Sequence, residues 1–144
     1  MKYFFSAQGM GQQTGLGLIR ILVGACMIYH GWEVFEQDKM AGYQQWLTDL
    51  KFPAPATMAY LGKGSEFVGG VFLALGLLTR LAIIPLIATM AVICFGMGKG
   101  RIFMDEQHPF LFILLFLVFF FCGPGRYSLD KLIFKNREPR LVIS

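Results

Sequence analysis

Two pairs of ionisable residues stand inside otherwise apolar stretches of this chain. His30 and Glu33 are three apart in the first stretch, and Lys63 and Glu66 are three apart in the second. That spacing on a helix puts each pair on one face. An imidazole beside a carboxylate exchanges protons near neutral pH, and an ammonium at the same place stabilises negative charge. The chemistry that fits is quinone reduction or quinol oxidation, in which electrons and protons move together at a membrane surface. Proton exchange then falls to His30 and Glu66, and charge stabilisation to Lys63. The competing reading is structural: helix-pinning hydrogen bonds and a lysine whose head reaches the interface. Ionisable groups are expensive in a membrane, which makes them functional candidates.

Depth along the helices allows the pairs to meet. His30 precedes the outer end of its stretch by about five residues and Glu66 follows the start of its own by roughly ten, within a turn or two at 1.5 Å per residue. Glu106 and His108 enter a later stretch from the same side. One site would then gather two imidazoles, up to three carboxylates and an ammonium. Glu33, Lys63 and Glu106 stand nearer the headgroups, where solvated charge is routine. Arg20 lies about one turn into its segment at the other end, where snorkelling or pairing with Asp130 accounts for it.

Other chemistries lack their parts. His30 and His108 both lie near segment ends, and His108 precedes Pro109, which disfavours axial ligation of a haem. No glycine-rich phosphate loop follows a strand, so nucleotide binding is unsupported. Cys26, Cys94 and Cys122 show no paired spacing and read as small hydrophobes within apolar runs. No metal site is expected, no cofactor is encoded, and quinone is the one redox molecule the residues suggest.

The elements that must position these groups follow from composition. Of 144 residues, 56% are hydrophobic, 15 are Phe and only 15% are Asp, Glu, Lys or Arg. A soluble domain of this size cannot bury so much apolar surface, so a free nucleic-acid binder is disfavoured and a lipid bilayer is the expected partner. Residues 81–98 carry no formal charge, and 107–125 contain a phenylalanine-rich run, Phe110 to Phe121, that is hydrophobic on every face. Segments 15–35 and 56–78 have similar length and hold most of their charges toward one end. A helix needs about 20 residues to cross the hydrocarbon core. The expectation is an all-α membrane protein, one domain over 1–144, with four transmembrane helices (15–35, 56–78, 81–98 and 107–122) in an antiparallel bundle.

Between the first two spans, Met40, Tyr43, Leu47 and Leu50 recur at helical spacing, predicting a short interfacial helix that ends at Pro53 and Pro55. Thr79-Arg80 reads as the whole turn between spans two and three. Gly123-Pro124-Gly125 stops the fourth span, and Ser128 caps a short helix at the start of a basic tail, 126–144. Residues 1–15 lack the pattern of a secretory signal, and the N-terminus is expected to be retained. Eight Lys and Arg fall on the side of the termini and five on the other, which predicts cytoplasmic termini in a bacterial inner membrane. Gly17, Gly24 and Gly31, and likewise Gly62, Gly69 and Gly76, recur every seven residues. Such small-residue stripes predict that spans one and two pack closely through both.

Several strings carry a resemblance. Ile19-Arg20-Ile21 leading to His30-Gly31, then Glu66-Phe67-Val68-Gly69-Gly70, Leu75-Gly76-Leu77-Leu78-Thr79-Arg80 and the run from Gly123 to Asp130 stand in an order that resembles the DoxX family. The resemblance runs from about Gly15 to Asp130 and implies a small four-helix integral membrane protein. Related DoxD-type proteins are associated with thiosulfate:quinone oxidoreductase, and some DoxX proteins with membrane oxidoreductase complexes of thiol stress. Both imply partner subunits. Some distant relatives use cysteine pairs, which this chain lacks, so disulfide relay is not expected. Two functions from different classes remain: a quinone-linked oxidoreductase subunit, or a non-enzymatic scaffold or accessory subunit of a larger membrane complex.

Overall fold

A computed structural model describes residues 11–134. The expected retained N-terminus reaches into residues outside this range, as does the end of the basic tail. Among the described residues the chain is helical and contains no strand. Helix α1 (Gln12–Gly31) continues into a 3₁₀ turn (Trp32–Phe35), followed by α2 (Gln37–Asp49) and α3 (Pro55–Leu75). Helix α4 (Thr79–Ala91) runs into a π-helical turn (Val92–Met97), and α5 (Gln107–Cys122) and α6 (Leu129–Phe134) complete the order. The long helices fall on the four apolar segments and α2 on the amphipathic one. Gln12–Phe35 and Thr79–Met97 are each long and apolar enough to cross a membrane, while Gln107–Cys122 is apolar and shorter.

The core forms where α1, α3, α4 and α5 meet. Met27, Leu73, Ile83, Leu86, Phe116 and Phe119 are buried there. A second cluster, Met40 and Leu47 of α2 against Ala59 of α3, seats α2 on the bundle. The opposite faces expose Leu22, Leu61, Leu81, Ile84 and Phe121, apolar groups that suit lipid and not water. The phenylalanine run is therefore divided: Phe116 and Phe119 pack inward, and Phe121 points out.

The glycine stripes pack differently from expectation. A Cβ at Gly24 would meet the Ala74 nitrogen at 2.5 Å, and one at Gly31 would land on the backbone of Glu66 and Phe67. The α1 stripe thus does lie on α3 at these two positions. Gly17 instead faces the Arg126 carbonyl. On α3 the glycine that meets α1 is Gly70, whose Cβ would come within 2.7 Å of the Ile28 nitrogen. Gly69 faces the Leu86 side chain and Gly62 faces Thr89, both on α4. Consecutive helical residues point about 100° apart, so the Gly69–Gly70 pair serves two neighbours.

Two other expectations are corrected. The turn between α3 and α4 is Gly76 to Leu78, and Thr79 is already helical. Gly76 takes a left-handed conformation (φ 66°) that closes α3 with bonds from the Gly76 and Leu77 N–H groups to the Leu73 and Phe72 carbonyls. Arg20 does not snorkel: it is 0% exposed. Its guanidinium donates to the carbonyls of Pro124, Tyr127 (2.9 Å) and Ala74 (3.4 Å). Asp130 does not hydrogen-bond Arg20; its carboxylate accepts from the Leu78 and Thr79 N–H groups at 2.6 and 2.9 Å. The first amides of a helix lack partners within it, and the carboxylate supplies them. As expected, the last long helix stops before Gly123, and the Ser128 hydroxyl accepts from Lys131 N–H at 3.3 Å to cap α6.

Gly31→Leu and Gly70→Leu should each lower the melting temperature in detergent, because backbone of the neighbouring helix occupies the space; overpacking of this kind costs about 1–3 kcal/mol or more. Gly62→Ala should hold or raise it, since its nearest neighbour is a methyl group at 3.7 Å. An unchanged melting profile for Gly31→Leu would contradict the seam.

Candidate functional site

Lys63 is the hub of the polar cluster. Its position one turn before Glu66 on α3 turns both side chains toward the ends of α1 and α2. The Lys63 ammonium stands 3.0 Å from Glu66 Oε2 and 2.9 Å from Glu33 Oε2. It also reaches the backbone carbonyl of His30 at 3.4 Å and lies 4.7 Å from the centre of the Tyr43 ring. Glu33 is placed by the 3₁₀ turn that follows α1, immediately beyond the contact of Gly31 with α3. The Glu66 side chain is 2% exposed and that of Lys63 13%.

Helix α2 closes the cluster. The Tyr43 hydroxyl donates to Glu33 Oε2 at 2.6 Å. Lys39 Nζ stands 3.1 Å from Glu33 Oε1 and 3.3 Å from Glu36 Oε2. Burial raises the Tyr43 phenol above its ordinary value, and its bond to the Glu33 carboxylate acts in the same direction. The bond to Glu33 likewise raises the exposed Lys39 ammonium. In the sequence Tyr43 is one apolar member of an amphipathic stripe. Its hydroxyl at the polar margin of that stripe is the feature that spacing alone leaves unread. For Lys39 the available signal was its i,i+3 spacing from Glu36.

Beside the cluster a cavity of about 440 Å³ lies between α2, α3 and α4. Glu66, Lys63 and Tyr43 border it, while Leu47, Pro85 and Ile93 contribute apolar wall. A pocket of this size, apolar with a few convergent polar groups, is the usual form of a small-molecule site.

Among the described residues the side chains of the remaining sequence candidates make no hydrogen bond to this cluster. The His30 imidazole lies edge-on to Tyr29 and Phe112, with ring centres 5.8 and 6.4 Å away. It is exposed and makes no hydrogen bond among the described residues; only its backbone carbonyl meets Lys63. Glu106 does not join the Lys63 cluster. It is 8% exposed, its Oε1 accepts from the Lys99 N–H at 3.0 Å, and its backbone carbonyl faces Cys94 Sγ at 3.9 Å. Its carboxylate serves the chain reversal after the π-helical turn. His108 is exposed and likewise stands outside the cluster. The expected assembly of two imidazoles and three carboxylates reduces to Glu33, Glu66 and Lys63, with Tyr43 and Lys39 added. No group of three or more His, Cys, Asp or Glu among the described residues is placed to hold a metal ion.

Removing one partner leaves a buried charge unpaired. Lys63→Met should therefore destabilise the protein by about 3–5 kcal/mol, and Lys63→Met with Glu66→Leu should recover part of that loss. Unfolding in detergent orders the two; equal loss in both would contradict a coupled pair. Tyr43 supplies a pH test. A raised pKa in the folded state means that its stabilising bond is present below the ordinary phenol range near 10 and is lost as pH rises through the raised value. Ultraviolet titration should show a late-ionising tyrosine that Tyr43→Phe removes, and an unchanged titration curve in that variant would count against the buried bond.

The DoxX family model matches residues 15–99. Two relatives from Haemophilus influenzae, both described as uncharacterized proteins, are similar over most of the chain. One is 32% identical over 137 residues, covering 84% of this chain and 92% of the relative. The other is 27% identical over 142 residues, covering 89% of each. No solved structure matches.

Proposed function

The chain belongs to the DoxX family, and we propose that it acts as a quinone-linked oxidoreductase subunit of a membrane complex. The family is membrane-integral, so the exposed apolar faces meet the bilayer. In this reading the four long apolar helices all cross it as one antiparallel bundle and a single domain. Helix α2 lies at the outer interface, and both termini are cytoplasmic in a bacterial inner membrane. Eight of the 13 Lys and Arg residues on the terminal side support that orientation.

The observation that carries the functional reading is the cavity bordered by a nearly buried carboxylate and ammonium, Glu66 and Lys63. A quinone head group enters from lipid between α3 and α4 and accepts two electrons and two protons to become quinol. The electrons come from a redox centre on a partner protein. Glu66 takes up the two protons one at a time and passes each to a quinone oxygen, and Lys63 stabilises the negative charge that develops before each protonation. His30, exposed one residue before the α1–α3 contact, exchanges the proton with the outer aqueous side.

A second reading is favoured by the closure of the ion pairs. Lys63 satisfies both Glu33 and Glu66, an arrangement that suits a scaffold subunit whose polar cluster holds α2 in place. Quinone content and donor-driven turnover of the purified complex separate the two. Glu66→Gln should lower turnover by about a hundredfold or more, the range for loss of a proton-transfer group, and His30→Ala by a smaller factor. Unchanged quinone content and turnover in both variants would favour the scaffold.

A further inference from the structure

At the opposite end of the molecule a second cavity, of about 820 Å³, opens between the end of α3 and the segment leading into α6. We propose that it holds the phosphate of an anionic phospholipid from the surrounding leaflet. The inference rests on the membrane-spanning arrangement proposed above, and not on the redox reading.

Charge and shape select this occupant. Arg126 and Lys131 border the cavity with Tyr127, while Leu75 of α3 and Leu132 of α6 form apolar flanks. Among the described residues neither cation makes an ion pair. Arg126 stands 5.7 Å from the Tyr127 ring, and Lys131 shares one donor with Gln13 Oε1 at 3.1 Å. Both cations keep donors for a phosphate. Asp130, the acid on the same short helix, is occupied by the Leu78 and Thr79 amides and does not neutralise them.

The walls are fixed to the bundle. The Arg126 N–H donates to the Gln13 carbonyl at 2.7 Å, and the Asp130 N–H donates to the Gly76 carbonyl at 2.9 Å. Buried Arg20 ties the Pro124 and Tyr127 carbonyls to the bundle from beneath. Leu75 and Leu132 are 49% and 74% exposed. They extend the cavity wall toward the apolar flank of the bundle, where an acyl chain can follow a head group bound at the cations. An inorganic anion would use the cations and leave the apolar flanks uncovered.

The test uses the full chain, delipidated in a neutral detergent, with melting followed on addition of phosphatidylglycerol, phosphatidylcholine of the same acyl chains, or inorganic phosphate. Phosphatidylglycerol at about ten times its half-saturating concentration should raise the melting temperature by roughly 5 °C, and the other two should leave it in place. The double variant Arg126→Gln/Lys131→Gln should lose the rise. An equal rise with phosphatidylcholine or with inorganic phosphate overturns the proposal, as does a rise retained in the double variant. Should the double variant fail to fold, Lys131→Gln is compared with the parent by native mass spectrometry. The ratio of retained phosphatidylglycerol to phosphatidylcholine should fall roughly threefold or more, about 0.6 kcal/mol, and an unchanged ratio overturns the proposal. Quinone turnover plays no part in either measurement, so failure here leaves the redox reading to its own test.

Discussion

The close approach of α1 to α3 is the constraint on which the rest of the structure depends. Gly24 and Gly31 on one helix and Gly70 on the other leave no room for a side chain between the two backbones. In lipid there is little hydrophobic gain from joining two helices, and close van der Waals contact takes its place. The same approach decides what stands beside Lys63. With Gly31 against Glu66 and Phe67, the carbonyl of His30 and the carboxylate of Glu33 arrive within reach of the ammonium. A bulkier residue at Gly31 would separate the groups as well as the helices.

Around that contact the polar cluster has two aspects that share residues. Glu33 takes Lys39 and Tyr43 from α2 and Lys63 from α3, so it ties α2 to the bundle. Among the described residues the Glu66 side chain bonds Lys63, and it borders the cavity. Lys63 is common to both. In the proposed cycle a proton leaving or reaching Glu66 changes how strongly Lys63 is held there, while Glu33 keeps the ammonium in position. The other end of the molecule is organised in a similar way. A single buried cation, Arg20, gathers the carbonyls of an irregular segment, and Asp130 caps α4 across the same junction. The polar cluster at one end borders a cavity, and the junction at the other end forms one wall of another.

Much of the scaffold was legible in the residues because apolar length and helical spacing are local properties. The long segments, the α2 stripe at Met40 and Leu47, and the stop at Gly123 all follow from such patterns. So did the pairing of Lys63 with Glu66, which is fixed by three-residue spacing on one helix. What spacing cannot supply is the neighbour that each face meets. Gly69 and Gly62 share a stripe, yet they face α4, and Gly70 is the glycine that meets α1. Glu106 has the depth to join the cluster but is taken by the Lys99 amide. Arg20 reads as a snorkelling cation until the carbonyls of a distant segment, from Pro124 to Tyr127, fold over it. Tyr43 belongs to the apolar stripe through its ring, and its hydroxyl has a role only because the fold brings Glu33 alongside.

The central claim is that Glu66 changes its protonation as quinone is reduced. Infrared difference spectra of the quinone-loaded protein, reduced and oxidised in turn, test it most directly. The account predicts a carboxyl band in the difference spectrum that disappears in Glu66→Gln and persists in Glu33→Gln. Difference spectra in which Glu66→Gln and the parent protein share every carboxyl band would contradict it.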